Sequence, residues 1–366
     1  MVSQHRVGVV PGPQSREVQV TLQAVEDRVV EVLADLDREW CRVAGGPADV
    51  LGPDDIPSLA RHAARGGKRL RPQMVHWGWV AAGAPLERWS DVVDLGAALE
   101  LLHLFALVHD DVMDGSLMRR GEPSVHALAA DRHRDAQGRG DASRFGEHVA
   151  ILVGDLVHAE ADQLVAALPA PIRAVWRTMM VELVLGQCRD LTGAALGRRD
   201  LQQGLEVARL KSGSYTVQRP LQMGAMLGGA SDALVQCLLQ YGWHVGEAFG
   251  LRDDVLGTWG DPRQTGKSAQ DDLETGKPTV LLALAQQRLD DRHGALLALT
   301  GSGRLAGAEL DQLRTAMDGC GIRDQVEQLI TDEVHAARAV LDPDIVSREA
   351  VDGLRTLADQ IAWRNS

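Results

Sequence analysis

Asp110, Asp111 and Asp114 are followed at once by Arg119 and Arg120, in the stretch "LVHDDVMDGSLMRRGEPSVH" (107–126). On a helix Asp110 and Asp114 face the same way, with Asp111 about 100° round. Like charges so placed repel, and carboxylates near a helix C-terminus also oppose its dipole. A solvated acidic helix end would account for one such cluster. "DDVLG" (253–257) sets a second pair, Asp253 and Asp254, at the end of another apolar segment. Two carboxylate groups of this kind suit a hard, oxygen-seeking cation. Mg²⁺ characteristically takes one or two protein carboxylates together with phosphate oxygens.

The basic residues point to the anion. Lysine is used at four places only, Lys68, Lys211, Lys267 and Lys277, among 38 basic side chains. All four stand in short polar motifs: "GGKRLRP" (66–72), "KSGSY" (211–215) and "TGKSAQDDLETGKPT" (265–279). Lysine offers a compact point charge to phosphate, and the arginines offer bidentate forks whose charge-assisted bonds contribute roughly 1.5–3 kcal/mol each. The pattern suits a diphosphate.

These motifs must be held by helices. Apolar residues recur at helical spacing through most of the chain, whereas alternating β-branched runs are scarce. Helices are expected at about 16–44, 72–83, 89–114, 146–168, 171–192, 199–227, 231–257, 278–300, 309–319, 321–341 and 346–363. The reading is an all-α protein, with residues 1–15 a flexible N-terminal tail and 16–366 a single domain. The charged, Gly-containing segment 131–148 is expected to form a surface loop. Segments 92–111 and 233–254 are apolar nearly all round and should lie inside, each delivering an Asp-Asp pair to one shared site.

Composition excludes several classes. With 38 basic against 51 acidic residues, a net charge of −13, the chain lacks the basic face a nucleic-acid partner needs. No run of eighteen apolar residues suggests a membrane span, and the short apolar run before Pro11 does not make a signal peptide. Cys41, Cys188, Cys237 and Cys320 are scattered without a CxxC pair, as in a reduced cytoplasmic protein.

Taken in order, "GGKRLRP", "DDVMD…RRG", "GDLVHA", "GQCRDL", "KSGSYTVQRP" and "LRDDVLG…GDPRQTGK…DDLETGKPT" resemble the trans-prenyl diphosphate synthase (polyprenyl synthetase) family over roughly residues 60–285. Actinobacterial geranylgeranyl diphosphate synthases are the resembling members. The resemblance implies an isoprenoid synthase fold, a helical bundle around a central active-site cavity, usually as a homodimer. By position it implies Mg²⁺, as three ions, on Asp110, Asp114 and Asp253, supported by Asp111 and Asp254. Arg119, Lys211 and Lys267 would hold the allylic diphosphate. Gly67, Lys68, Arg71, His103 and Arg120 would hold isopentenyl diphosphate, with Ser212 and Lys277 also on substrate. The implied reaction is ionisation of the allylic diphosphate, attack by isopentenyl diphosphate, and proton loss.

Three positions depart from the family. Gly257 stands where a third Asp is usual, Phe249-Gly250 replaces Phe-Gln, and Gln270 replaces a glycine. Gly242, Gly246 and Gly250 share a helix face, which suits either close packing or extra active-site space. Product length depends on the floor below Asp110, where one helical turn of about 5.4 Å matches one isoprene unit. In the family, a bulky Phe105 with a small Ala106, over Leu101 and Leu102, resembles the arrangement that gives a twenty-carbon product. Alternatives are a farnesyl diphosphate synthase, an irregular prenyl coupling enzyme, a class I terpene cyclase and a non-catalytic partner subunit. The cyclase's second metal motif is absent from 233–280, and a partner subunit would tend to lose the aspartates kept here.

Overall fold

The computed structural model describes residues 16–44, 56–261, 271–305 and 307–364. Helices account for nearly all regular structure among them. α1 (Arg16–Ala44) buries Val18, Val25, Val32, Leu33 and Leu36, one face of a 3.6-residue repeat. α2 (Ile56–Ala63) and α3 (Leu70–Ala81) follow, the latter entered through Gly66 and Gly67, both at positive φ. α4 (Trp89–Asp114) is apolar all round and buried on most sides, and ends where Gly115 takes the left-handed conformation. It is long and apolar enough to cross a membrane, yet most of that apolar stretch is buried inside the fold. It is a core helix.

A two-stranded hairpin comes next, β1 (Met118–Arg119) paired antiparallel with β2 (Glu122–Pro123). Its turn residues Arg120 and Gly121 have φ 55° and 78°, the two positive values that the commonest tight hairpin turn requires. α5 (Val125–Asp135), α6 (Ala142–Ala166) and α7 (Ala170–Ala195) follow. Segment 131–148 is therefore not the loop its charge suggests, since only 136–141 lie outside helices. Asp141 caps α6 by accepting from the Arg144 N–H at 3.1 Å, and His133 packs on Phe145 with ring centroids 4.7 Å apart. Those contacts stabilise two helix ends that look disordered in isolation.

α8 (Leu201–Val207) and α9 (Arg219–Leu227) are joined without a break by a π-helical segment, Ala208–Gln218, so the expected 199–227 helix is wider in its middle. α10 (Asp232–Trp259) is capped by the Ser231 side chain, which accepts from the Leu234 N–H at 3.3 Å. The expected helix 278–300 divides into Val280–Arg288 and Asp291–Leu297, because Asp290 caps a new start by accepting from the His293 N–H at 2.9 Å. The expected tail 1–15 lies outside the described residues.

Two apolar clusters hold the bundle together. One joins α1, α4, α6 and α7 through residues such as Leu99, Leu102, Val153 and Met179. The other packs α10 against the C-terminal helices Ile322–Val340 and Arg348–Ala362, through Leu238, Val245, Ile330, Val334 and Leu354. Arg252 of α10 anchors this half with a bidentate pair to Glu327 at 2.8 and 2.6 Å. α4 thus ends in one cluster and α10 in the other, with their acidic ends meeting between.

Candidate active site

Lys277 Nζ lies 2.7 Å from Asp114 of α4 and 3.4 Å from Asp272, in the short helix Asp271–Thr275. Lys211, from the π-helical segment, donates to Asp110 at 3.0 Å and to Asp190 of α7 at 2.5 Å. Nearby carboxylates hold both ammonium groups firmly protonated against the effect of burial. Lysines from two other segments thus tie the α4 motif to Asp190 and Asp272, two carboxylates close enough to Asp254 of α10 for their charges to act on it.

Arg119 returns on β1 and forks onto Asp111, with Nε at 2.9 and 3.2 Å from the two carboxylate oxygens. It also comes within 3.8 Å of Asp110. The hairpin turn makes that return possible. On α10, Asp253 pairs with Arg364, whose guanidinium lies 4.3 Å over the Phe249 ring. Asp254 is different: its Oδ2 is buried with no hydrogen-bond partner among the described residues. Burial, then the charges of Asp272, Asp253 and Asp190, push its carboxyl well above the ordinary range. Among the described residues no three carboxylate, imidazole or thiol groups converge into a ready-made metal cage.

A second, basic cluster adjoins the first. Arg71 donates to Thr216 Oγ1 at 2.8 Å and stacks 4.2 Å above the Tyr215 ring. Tyr215 Oη lies 3.3 Å from His103 Nδ1. Arg120 donates to the Arg65 and Gly66 carbonyls at 2.8 and 3.1 Å, and any Cβ on Gly67 would touch its guanidinium at 3.1 Å. Burial holds the His103 imidazole well below its usual range, and the charges of Arg71, Arg120, Arg119 and Arg69 add to that effect. Lys68 is pushed down to about 8 by burial and by Arg364. A neutral histidine amid cations marks a pocket whose field favours an anion.

The residues singled out from the sequence therefore fall into an acidic half (Asp110, Asp111, Asp114, Asp253, Asp254, with Lys211 and Lys277) and a basic half (Gly67, Lys68, Arg71, His103, Arg120), with Arg119 facing the acidic side. Ser212 follows Lys211 in the π-helical segment. Lys267 lies outside the described residues. Phe105 is held between His109 and His158 of α6, each ring centroid 4.6 Å away and His158 stacked nearly parallel. Ala106 is half-buried beside it, and Leu101 and Leu102 are fully buried beneath.

Sequence reasoning missed Asp190, Asp272 and Arg364. The first two stand inside the quoted motifs "GQCRDL" and "DDLETGKPT", so polar character within a motif was the available signal. Nothing local marks Arg364. The glycine face of α10 resolves to close packing: a Cβ on Gly242, Gly246 or Gly250 would meet Gln218, Gly213 or Ala208 at 2.8, 3.1 and 2.7 Å. It adds no room to the site, and Gly250 has no space for the family's Gln.

Comparison with known proteins agrees with this architecture. Residues 54–317 match the polyprenyl synthetase family, and the chain belongs to it. It is 32% identical over 290 residues to a geranylgeranyl diphosphate synthase of Mycobacterium tuberculosis, covering 78% of this chain and 77% of that one. It is 29% identical over 325 residues to a geranylfarnesyl diphosphate synthase of Aeropyrum pernix, covering 86% and 96%. A crystal structure of geranylgeranyl pyrophosphate synthase from Corynebacterium glutamicum, complexed with isoprenyl diphosphate and magnesium, superposes with a TM-score of 0.83 at 33% identity, over 93% of this chain and 98% of that one.

Proposed function

We propose that the protein joins isopentenyl diphosphate to an allylic diphosphate and releases geranylgeranyl diphosphate. The observation that carries this is the gathering of the acidic motifs on α4 and α10 about Asp190, Asp272, Lys211 and Lys277, beside an arginine-rich pocket. The family's named members differ in product length, so the twenty-carbon product rests on the floor residues. Phe105, clamped by two imidazoles, gives that floor a fixed position.

The donor set fits Mg²⁺. It is all carboxylate oxygen, and the buried Oδ2 of Asp254, with no hydrogen-bond partner among the described residues, leaves an oxygen for a cation to meet. Asp110, Asp111, Asp114, Asp253 and Asp254 would hold the metal, as three ions. Bound there, Mg²⁺ supplies stabilisation of charge gathering on the departing diphosphate. Lys211, Arg119 and Lys267 would hold the allylic diphosphate, with Ser212 and Lys277 assisting. Arg71, Lys68, Arg120, His103 and the Gly67 backbone would orient isopentenyl diphosphate. Apolar α4 side chains exclude the water that would quench a carbocation.

A homodimer belongs to the same reading. Ile151 and Leu152 of α6, with Val181, Val184 and Leu185 of α7, expose apolar side chains that a second copy would cover. So does a reducing, cytoplasmic setting, which the four free cysteines suit. The deciding experiment incubates purified protein with Mg²⁺, isopentenyl diphosphate and each allylic primer, and sizes the dephosphorylated products by gas chromatography–mass spectrometry. Geranylgeraniol is expected. Farnesol alone would keep the reaction and remove the floor assignment; cyclic or branched alcohols, or no product from folded protein, would overturn the reading.

A further inference from the structure

Lys277 stands just beyond a five-residue helix, Asp271–Thr275, too short to hold its own shape. Its ammonium nevertheless reaches Asp114 at 2.7 Å and Asp272 at 3.4 Å. After Lys277 the backbone is fixed by packing on α8, where a Cβ on Gly204 would meet the Val280 N at 2.9 Å. Before it, the chain turns through Gly276, at φ 67°. That turn is held from outside, by two segments that bring no side chain to the acidic or the basic half of the site.

One is the turn at 299–301. The Gly301 N–H donates to the Glu274 carbonyl at 3.0 Å, and a Cβ on Gly276 would meet the Gly301 N at 2.9 Å. The other is the link between α7 and α8, which carries Arg199. Its Nη1 donates to the Gly276 carbonyl at 3.2 Å and to the Arg198 carbonyl at 3.0 Å, and its Nη2 to Thr300 Oγ1 at 2.7 Å. Thr300 gives its one hydroxyl proton to the Leu297 carbonyl at 2.8 Å, which leaves its oxygen free to accept from Arg199. These acceptors are neutral oxygens, so the shape of the guanidinium fork, rather than its charge alone, joins the two turns.

We propose that Arg199 is a positioning residue for Lys277: with Thr300 it clamps the Gly276 turn and so sets where the Lys277 ammonium stands between Asp114 and Asp272. The inference rests on the reading of Lys277 as a group that holds substrate diphosphate. Arg199 acts through the backbone of the residue before Lys277, not through contact with substrate.

The test compares Arg199→Met, which keeps the stem and removes the fork, with Thr300→Val, which removes only the hydroxyl. Each is made in the full wild-type chain and in a Lys277→Met background. Arg199→Met should lower kcat/KM for the allylic diphosphate about 10²-fold, the effect of displacing a positioning group by about 1 Å. Thr300→Val should lower it about tenfold, for one lost bond to a charged group. KM for isopentenyl diphosphate should stay within about twofold, because Lys277 lies on the acidic side of the site. With Lys277→Met already present, neither substitution should change the remaining rate more than about twofold, since groups acting as one unit are not additive. Full losses in that background would overturn the proposal, as would wild-type rates in both single variants. Circular dichroism reports the fold; if Arg199→Met does not fold, Thr300→Val decides alone. Amide hydrogen exchange over 274–279, measured without substrate, should quicken in Arg199→Met, or in Thr300→Val if that variant decides. Unchanged exchange would also overturn the proposal. A wild type that makes no product would instead bring down the proposed function, and exchange would then still decide whether the clamp exists.

Discussion

Replacing Gly186 by alanine should damage both stability and activity, and the geometry sets the scale. Gly186 lies on α7 against the π-helical segment. An ideal Cβ would stand 2.3 Å from the Lys211 N and 2.7 Å from the Leu210 carbonyl carbon, all backbone atoms that cannot rotate aside. Ordinary contact begins at 3.4 Å, so the two elements must part by roughly 1 Å. Overpacking of this kind costs about 1–3 kcal/mol. Lys211 would move with its backbone and leave the 3.0 and 2.5 Å contacts to Asp110 and Asp190. Misplacing a substrate-positioning group by 1 Å lowers turnover by about 10²-fold. The control is Gly294→Ala, where a Cβ meets nothing within 4 Å, and where a helical glycine's replacement should be neutral or stabilise by about 0.5–1 kcal/mol. Urea midpoints and kcat would be measured for both. Equal behaviour of the two variants would refute the claim that α7 and the π-helical segment meet at backbone contact.

Two further outcomes are expected. Phe105→Ala opens the floor between His109 and His158, so the alcohol recovered after dephosphorylation should lengthen by about one isoprene unit, about one helical turn; an unchanged product would show the floor lies elsewhere. His76, 2% exposed and 2.7 Å from Thr21 Oγ1, is pushed down to about 4 by burial. The unfolded imidazole titrates near 6.5, so its neutral form stabilises the fold fully above that pH. As pH falls from about 6.5 to about 4 the unfolded state takes the proton first, and about 3 kcal/mol of stability is lost. The stability gap between wild type and His76→Gln should close by that amount between pH 7 and pH 4. A gap independent of pH would mean His76 is not held neutral.

Much of this was legible in the residues themselves. α1 and α4 begin and end where the apolar periodicity and Gly115 place them, at Arg16–Ala44 and Trp89–Asp114. The acidic motifs were legible because carboxylate spacing carries its own chemistry. Segment 131–148 misled, since its composition is that of a solvated loop while its order comes from the Asp141 cap and the packing of His133 on Phe145. The π-helical segment has no local signature: its path follows from glycines on α7 and α10 that admit it at backbone distance. Arg364 was out of reach for a related reason, being 111 residues from the Asp253 it meets. Partnerships of that range are set by topology.

The ion pairs across the site have a consequence for the order of events. Asp110, Asp111, Asp114 and Asp253 each hold a basic partner already, in Lys211, Arg119, Lys277 and Arg364. A cation arriving alone must displace those partners and strand their charges in a poorly hydrated place; an anion arriving alone strands the carboxylates. When both arrive, every displaced charge finds a new counterpart. Occupancy is then an exchange of partners with positive free-energy coupling, and by reciprocity each ligand raises the other's affinity by the same factor. On the metal-dependent reading proposed above, the site would thereby favour the metal–diphosphate complex over either ion alone.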